Sequence, residues 1–324
     1  MINNFPLFRL PFIPLYKVLD HVGPATILPL SLCSKRAKLI MKNYNGPSKR
    51  VNISLDVAQY ALKIDDRPLI SVMNVPKNSE NLERVTIGPR RVPLEIENGV
   101  LKIYWNNERV GMEAMIEYTF DVFNAKLHSL IAHGAISAAA VKFWIEWIRK
   151  FQKKIYRLSV WLSTDYPDQL TKCILVSDFV TGDLKLCASN SIDSWGLRPS
   201  YWVTLDHFLA MDIKKIFLRH TYLTCQDVNV FLKKWINGEC FKRTKEVFLD
   251  ILWGIEFDVL FNDIEVTRKD SNFMRCYFGY KGIEIIVGGF DIIRKEDGAM
   301  ATIIDEYGGL KILFWPDNKG NPYQ

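Results

Sequence analysis

Five histidines, His21, His128, His133, His207 and His220, are the side chains in this 324-residue sequence best suited to move protons or ligate a metal at neutral pH. Only His128 and His133 are close. Their i, i+5 spacing puts them on different faces of the helix expected there, whereas a helical zinc pair needs i, i+4. Ordinary core or surface histidines are the expectation. The six cysteines (Cys33, Cys173, Cys187, Cys225, Cys240 and Cys276) form no C-x-x-C pair and read as reduced, mostly buried thiols. Asp65-Asp66 and Asp183 resemble turn residues more than an acid–base pair. No G-x-S-x-G elbow, H-E-x-x-H helix or glycine-rich phosphate loop occurs. Asn52-Ile53-Ser54 fits a glycosylation sequon, which matters only on a secretory route. These residues point away from catalysis and imply no cofactor and no metal. A hydrolase-like enzyme without a known motif stays as a rival reading.

Composition narrows the class further. Hydrophobic residues make up 48% and aromatics 13%, enough for a large core. The net charge of +6 is mild, and Lys and Arg form no concentrated run, so no nucleic-acid partner is expected. The longest charge-free stretches, Val22 to Ser34 and Ser129 to Val141, are 13 residues each. A membrane span needs ~20. The opening MINNFPLFRLPFIPLYK has no basic n-region before an apolar run, so it is not expected to be a signal peptide. A cytoplasmic or nuclear protein that avoids membranes is the reading.

The elements that would position any site fall into four stretches. Residues 5–45 read as three short helices. Pro14 suits a first turn, Gly23-Pro24 stops one helix and opens the next, and Ser34 caps the third. From about Arg50 to Trp105, six alternating segments separated by turns read as an antiparallel β-meander. Between 112 and 254, helices alternate with strands. A helix is expected near 113–130, and another at 136–151 with Val141, Trp144, Ile145 and Ile148 on one face. A third follows Thr224, with Val228, Phe231, Leu232 and Trp235 as its apolar stripe, a near capping box at Asp227, and an end at Asn237-Gly238. Ile213-x-x-Ile216-x-Leu218-x-x-Thr221-x-Leu223 fits a leucine-rich-repeat template. The apolar centres Val160, Leu186, Leu218 and Leu249 recur at similar intervals, which leaves a degenerate strand–helix array and an irregular α/β layer as equal options. From about Asn272 the chain returns to hairpins, with turns at Tyr280-Lys281-Gly282 and Glu296-Asp297-Gly298.

Two stretches carry a family resemblance. FPLFRLPFIPLYKVLDHVGPATILPLSLCSKRAKLIMKNY resembles the F-box, a three-helix motif, through Leu10-Pro11, Val18-Leu19, Gly23-Pro24, Ile27, Leu30 and Cys33-Ser34-Lys35-Arg36. Ile13-Pro14 stands where many F-boxes have an acidic residue, and Pro29 is expected to kink the second helix. LDHFLAMDIKKIFLRHTYLTCQDVNVFLKKWING resembles the F-box-associated domain (type 2) of the large nematode F-box family. Its marks are Met211-Asp212, Ile216-x-Leu218, Leu223-Thr224, Asp227-Val228-Asn229 and Phe231-Leu232-Lys233-x-Trp235-Ile236-x-Gly238.

The resemblance implies an α+β chain: an F-box at 5–45, then a mixed α/β body over 46–324. That body divides into a meander (46–111), a leucine-rich-repeat-like strand–helix array (112–254) and C-terminal hairpins (255–324). It also implies a substrate receptor that binds a Skp-family adaptor and through it a cullin, with a protein client on the body and no chemistry of its own. A stoichiometric interaction module that ubiquitinates nothing is the alternative. The adaptor surface is expected to use Leu10, Pro11, Ile13, Val18, Leu19, Ile27, Leu28, Leu30, Lys35 and Arg36. Forty residues cannot bury so many apolar side chains internally, and the surplus should form an interface unless it packs on the meander. Lys35, Arg36 and Lys38 could steer an acidic partner. On the body, Ile216 and Leu218 alternate inward, so Lys215, Phe217 and Arg219 should face the open side of the sheet with Trp161, as candidate client contacts. The competing expectation is that the terminal hairpins cover this face.

Overall fold

The computed structural model describes residues 7–76, 79–134, 136–152, 155–162, 193–198, 200–201, 203–279 and 282–315. Two compact units divide the chain at Ile131/Ala132.

The first unit opens with helices α1 (Phe12–His21), α2 (Pro24–Leu32) and α3 (Lys35–Asn43). Local chemistry sets their bounds. Gly23-Pro24 separates α1 from α2, and the Ser34 side chain accepts a hydrogen bond from Ala37 N at 3.0 Å. Helix α2 runs through Pro29 to Leu32. Strands β1 (Ile53–Asp56), β2 (Ala61–Ile64), β3 (Arg67–Asn74), β4 (Glu83–Ile87), β5 (Arg90–Glu97) and β6 (Val100–Trp105) follow, then helix α4 (Glu108–Phe123) and strand β7 (Leu127–Gly134).

All six expected strands form, but not as a meander. The order is β7-β1-β2-β3-β6-β5-β4, with β3–β6 and β1–β7 parallel. Burial accounts for the swap. β6 contributes Leu101, Ile103 and Trp105 to the core beside Ile70 and Val72 of β3, while β4, with Glu83, Arg84 and Thr86 exposed, takes the edge. The helix expected to reach residue 130 stops at Phe123, because Asn124 adopts the left-handed conformation (φ 50°). Residues 127–134 are strand, so His128 and His133 lie on β7 and not on a helix. Gly111 lets α4 approach the sheet. A Cβ there would lie 2.5 Å from the Trp105 ring and 2.8 Å from Val72 Cγ1.

The second unit contains α5 (Ala138–Arg149), β8 (Arg157–Leu162), β9 (Ser194–Arg198), α6 (Leu205–Leu209), β10 (Lys215–Thr221), α7 (Cys225–Ile236), β11 (Glu246–Ile251), α8 (Phe257–Leu260), β12 (Thr267–Gly279), β13 (Gly282–Ile293), β14 (Met300–Glu306) and β15 (Gly309–Phe314). Strands β8, β9, β10 and β11 run parallel, and β15, β14, β13 and β12 continue antiparallel from β11. Helix α7 has the expected capping box, with Thr224 N donating to Asp227 Oδ2 at 2.8 Å. Its stripe of Val228, Phe231, Leu232 and Trp235 is buried, and Phe231 packs edge-on against Phe208 and tilted against Phe241. The strand positions Val160, Leu197, Leu218 and Leu249 are in register and buried. Their uneven spacing along the chain departs from a regular repeat, and β9 lies beside β8. Leu186 itself, Asp183, Cys173, Cys187 and the Tyr280-Lys281 turn fall outside the described residues.

A glycine pair redirects the β12–β13 hairpin. Both Gly288 and Gly289 have positive φ, and a Cβ on Gly289 would lie 2.7 Å from Ile304 Cγ2. Pairing of β13 with β14 ends at Phe290, and the hairpin tip then packs Tyr277 and Ile286 against Leu313 and Trp315.

Candidate functional site

Two surfaces carry the residues singled out by sequence. On α1 to α3, one side is built into the first unit. Tyr118 of α4 donates to Ser31 O at 3.1 Å, and burial pushes its phenol pKa up. Lys38 and Lys42 pair with Asp121 at 2.8 and 2.6 Å, holding its carboxyl below the usual range. Lys49 reaches back to Met41 O and Lys42 O, closing the end of α3, with burial lowering its pKa. These ties anchor the helices to their own unit.

The consequence separates the ten expected adaptor residues. Leu19, Ile27 and Leu28 have no exposed surface and are core. They are not surplus side chains awaiting a partner: α4 packs against α2 and α3, and the 47–49 turn closes over α1, with the Ser48 hydroxyl donating to Leu19 O at 2.8 Å. Leu10 and Leu30 are partly buried. Pro11, Lys35 and Arg36 are exposed, as are Ile13 (75%) and Val18 (39%). Lys38, considered as a steering charge, is occupied by Asp121. Sequence reasoning missed Phe12 (67% exposed) and Leu39 on α3 (58%), which extend the apolar exposure. Leu39 was legible as an apolar residue among lysines, but which side of α3 packs inward depends on Asp121 of α4.

The second surface is the side of the second unit's sheet opposite the buried stripe. Lys215, Phe217 and Arg219 share it, as the alternation with buried Ile216 and Leu218 requires. Phe217 stacks on Phe248 of β11 with ring centroids 4.6 Å apart, and the Arg219 guanidinium sits 5.2 Å from the Phe217 ring centroid. Lys215 is tied to Glu246 at 2.6 Å. Trp161 stacks on His133 at 4.6 Å, while His133 Nε2 is 2.8 Å from Ser159 Oγ. Strand register runs Ser159, Gly196, Phe217, Phe248 and Lys311 in one row. Gly196 thus forms a hollow between Trp161 and Phe217, where an added Cβ would sit 3.7 Å from Trp161 Nε1 and 3.9 Å from Phe217 Cβ.

All four sequence-chosen residues on this face are partly buried. The terminal hairpins cover the β11–β15 end, where Phe248 and Lys311 are buried, Glu284 of β13 binds Lys311, and Tyr277 donates to Lys245 O. The hairpin cover thus reaches one end of this face and leaves Trp161, Lys215, Phe217 and Arg219 partly exposed. His133, Gly196 and Phe248 complete the face and were not foreseen. Only strand register brings them there, and no local spacing signals it. Among the described residues no group of three metal-ligating side chains converges. Among the described residues no helix is long and apolar enough to cross a membrane.

Residues 183–247 match the family described as F-box associated, spanning β9 through the start of β11 and including Lys215, Phe217 and Arg219. The chain is similar to three proteins of Caenorhabditis elegans. It is 22% identical to the E3 ubiquitin-protein ligase hecw-1 over 310 residues, 82% of this chain but 24% of that protein. It is 22% identical to uncharacterized protein F59B2.9, covering 94% of this chain and 76% of the other. With uncharacterized protein F59B2.8 the identity is 19%, covering 98% and 79%. The chain thus spans about a quarter of the first of these relatives and most of the other two. No solved structure matches. Together these likenesses support an F-box-associated family.

Proposed function

We propose that the chain is a substrate receptor of a cullin-type ubiquitin ligase, with α1 to α3 acting as an F-box toward a Skp-family adaptor. A protein client is held on the Trp161–Phe217–Arg219 face, and other subunits carry out ubiquitin transfer. The observation that carries this reading is the F-box associated match at 183–247 in a chain that opens with three helices presenting Phe12, Ile13 and Val18 outward. The likeness to a protein named as an E3 ubiquitin ligase supports a tie to the same machinery. Exposed apolar side chains of this kind mark interfaces, and Arg beside stacked aromatics is the composition of interface anchors.

The test is affinity purification of the intact chain and of an Ile13→Glu/Val18→Glu variant. The Skp-family adaptor and cullin should accompany the first and leave the second, with client proteins retained by both. Client capture by the intact chain with no adaptor or cullin would reject the ligase reading in favour of a stoichiometric interaction module.

A further inference from the structure

The β12–β13 hairpin is inside out. Its inward positions include charges: Arg275, 1% exposed, binds Asp291 at 3.0 Å, and Glu284 binds Lys311. Asp291 in turn accepts from Thr302 Oγ1 at 2.6 Å, and Trp315 Nε1 donates to that hydroxyl at 2.8 Å. From Met274 to the tip, the outward positions are uncharged and apolar. Strand register makes them a grid of three cross-strand pairs, Met274–Val287, Cys276–Ile285 and Phe278–Ile283. Five of these six side chains are 48% to 67% exposed, and Cys276 is a partly buried free thiol. Solvation alone favours the reverse arrangement, with charges facing water. An apolar surface set against a buried, ion-paired charge network marks a face that is covered in an assembly.

We propose that this face packs against the same face of a second copy of the chain, about a two-fold axis running along the strands between β12 and β13. That axis places each β12 side chain over its own cross-strand neighbour in the partner copy. Phe278 then meets Ile283, Met274 meets Val287, and the small Cys276 makes room for Ile285. Every contact occurs twice, as an isologous interface demands. A foreign partner carrying charge would leave that charge unpaired, whereas a second copy brings an uncharged grid of matched size. The grid presents roughly 500 Å² of apolar surface per copy, and a pair removes about 1,000 Å² from water, at the threshold of a specific interface. A dimer that dissociates on dilution is expected.

Sedimentation equilibrium of the full chain over a micromolar concentration series reads the association directly. The wild type should be a monomer–dimer mixture, and Ile285→Glu should weaken association at least tenfold while its thermal midpoint is kept. A short bismaleimide should join two wild-type chains through Cys276 and fail with Cys276→Ser. A wild type that stays monomeric at about 200 μM would overturn the proposal, and would leave the face to a different partner. Unchanged association in Ile285→Glu would overturn it too, as would growth into open filaments, which no two-fold closure permits. Should Ile285→Glu fail to fold, the Cys276 crosslink decides: a cross-linked dimer supports the interface and its absence refutes it.

Discussion

Ile13 and Leu19 lie on the same helix, were assigned the same role from sequence, and are expected to fail in opposite ways. Ile13 is 75% exposed and Leu19 has no exposed surface. Ile13→Glu removes little packing, so its folding cost stays within about 0.5 kcal/mol. If α1 docks an adaptor, the same change places a charge at an apolar contact. A loss of ~2 kcal/mol or more corresponds to roughly thirtyfold weaker binding. Leu19→Ala opens a cavity in a region closed on every side. It should cost ~2–5 kcal/mol of stability, each kcal/mol lowering the thermal midpoint by roughly 2–4 °C in a domain of 150–250 residues. Calorimetric titration with a purified Skp-family adaptor, paired with thermal melts of both variants, separates the two effects. Unchanged affinity in Ile13→Glu refutes α1 as the docking surface. An unchanged midpoint in Leu19→Ala refutes the assignment of that residue to the core.

Phe217→Ala combined with Arg219→Ala should abolish client capture. A stability loss of ~2 kcal/mol or more without that effect, measured by denaturant unfolding, would mark the face as core. Trp235→Ala should cost ~3–5 kcal/mol, because the indole is 1% exposed and wedged between Phe314 and the Arg294 guanidinium; an unaltered urea midpoint would contradict this. Asp121→Asn should cost no more than about 1 kcal/mol at pH 7, since its ion pairs are partly solvated. The Asp121 carboxyl pKa is depressed by Lys38 and Lys42, so its contribution is complete above the ordinary carboxylate pKa of 3.8 and is lost as pH falls through the lower folded value. Wild type and variant should therefore converge in stability at acid pH, and a gap that widens on acidification would reverse the sign.

Local chemistry was legible in the sequence wherever a residue carries its own geometric instruction. Gly23-Pro24, Ser34 and the Thr224–Asp227 box bound helices where expected, and alternation found the strands of both units apart from β7 and β9. What was not legible depended on partners distant in sequence. The β3–β6 pairing follows from which strands are apolar on both faces, a comparison that no single segment contains. The 127–134 stretch, LHSLIAHG, suits either secondary structure by composition, and β1 decides for strand by pairing with it. Ile27 and Leu28 looked surplus only because α4, which packs on α2, lies more than sixty residues further along the chain, and Leu19 because the 47–49 turn that closes over it lies beyond the forty-residue segment. For the β12–β13 hairpin, period-two alternation separates two faces but does not say which looks inward. Asp291, Thr302 and Lys311 settle that by receiving the charges.

Gly196 has an ordinary strand backbone, so any residue can stand there without conformational cost, and the space above it accepts a methyl group at normal contact distance. The hollow between Trp161 and Phe217 is thus a position where one nucleotide change can resize the proposed client-binding face while leaving the scaffold intact. Duplicated copies of such a gene could diverge in what they bind through stepwise filling of this one site: alanine first, then larger side chains that narrow the gap between the two aromatic walls. Folding would place little constraint on that path. If this face binds a client as proposed, the evolvability of its recognition would rest on the absence of a side chain.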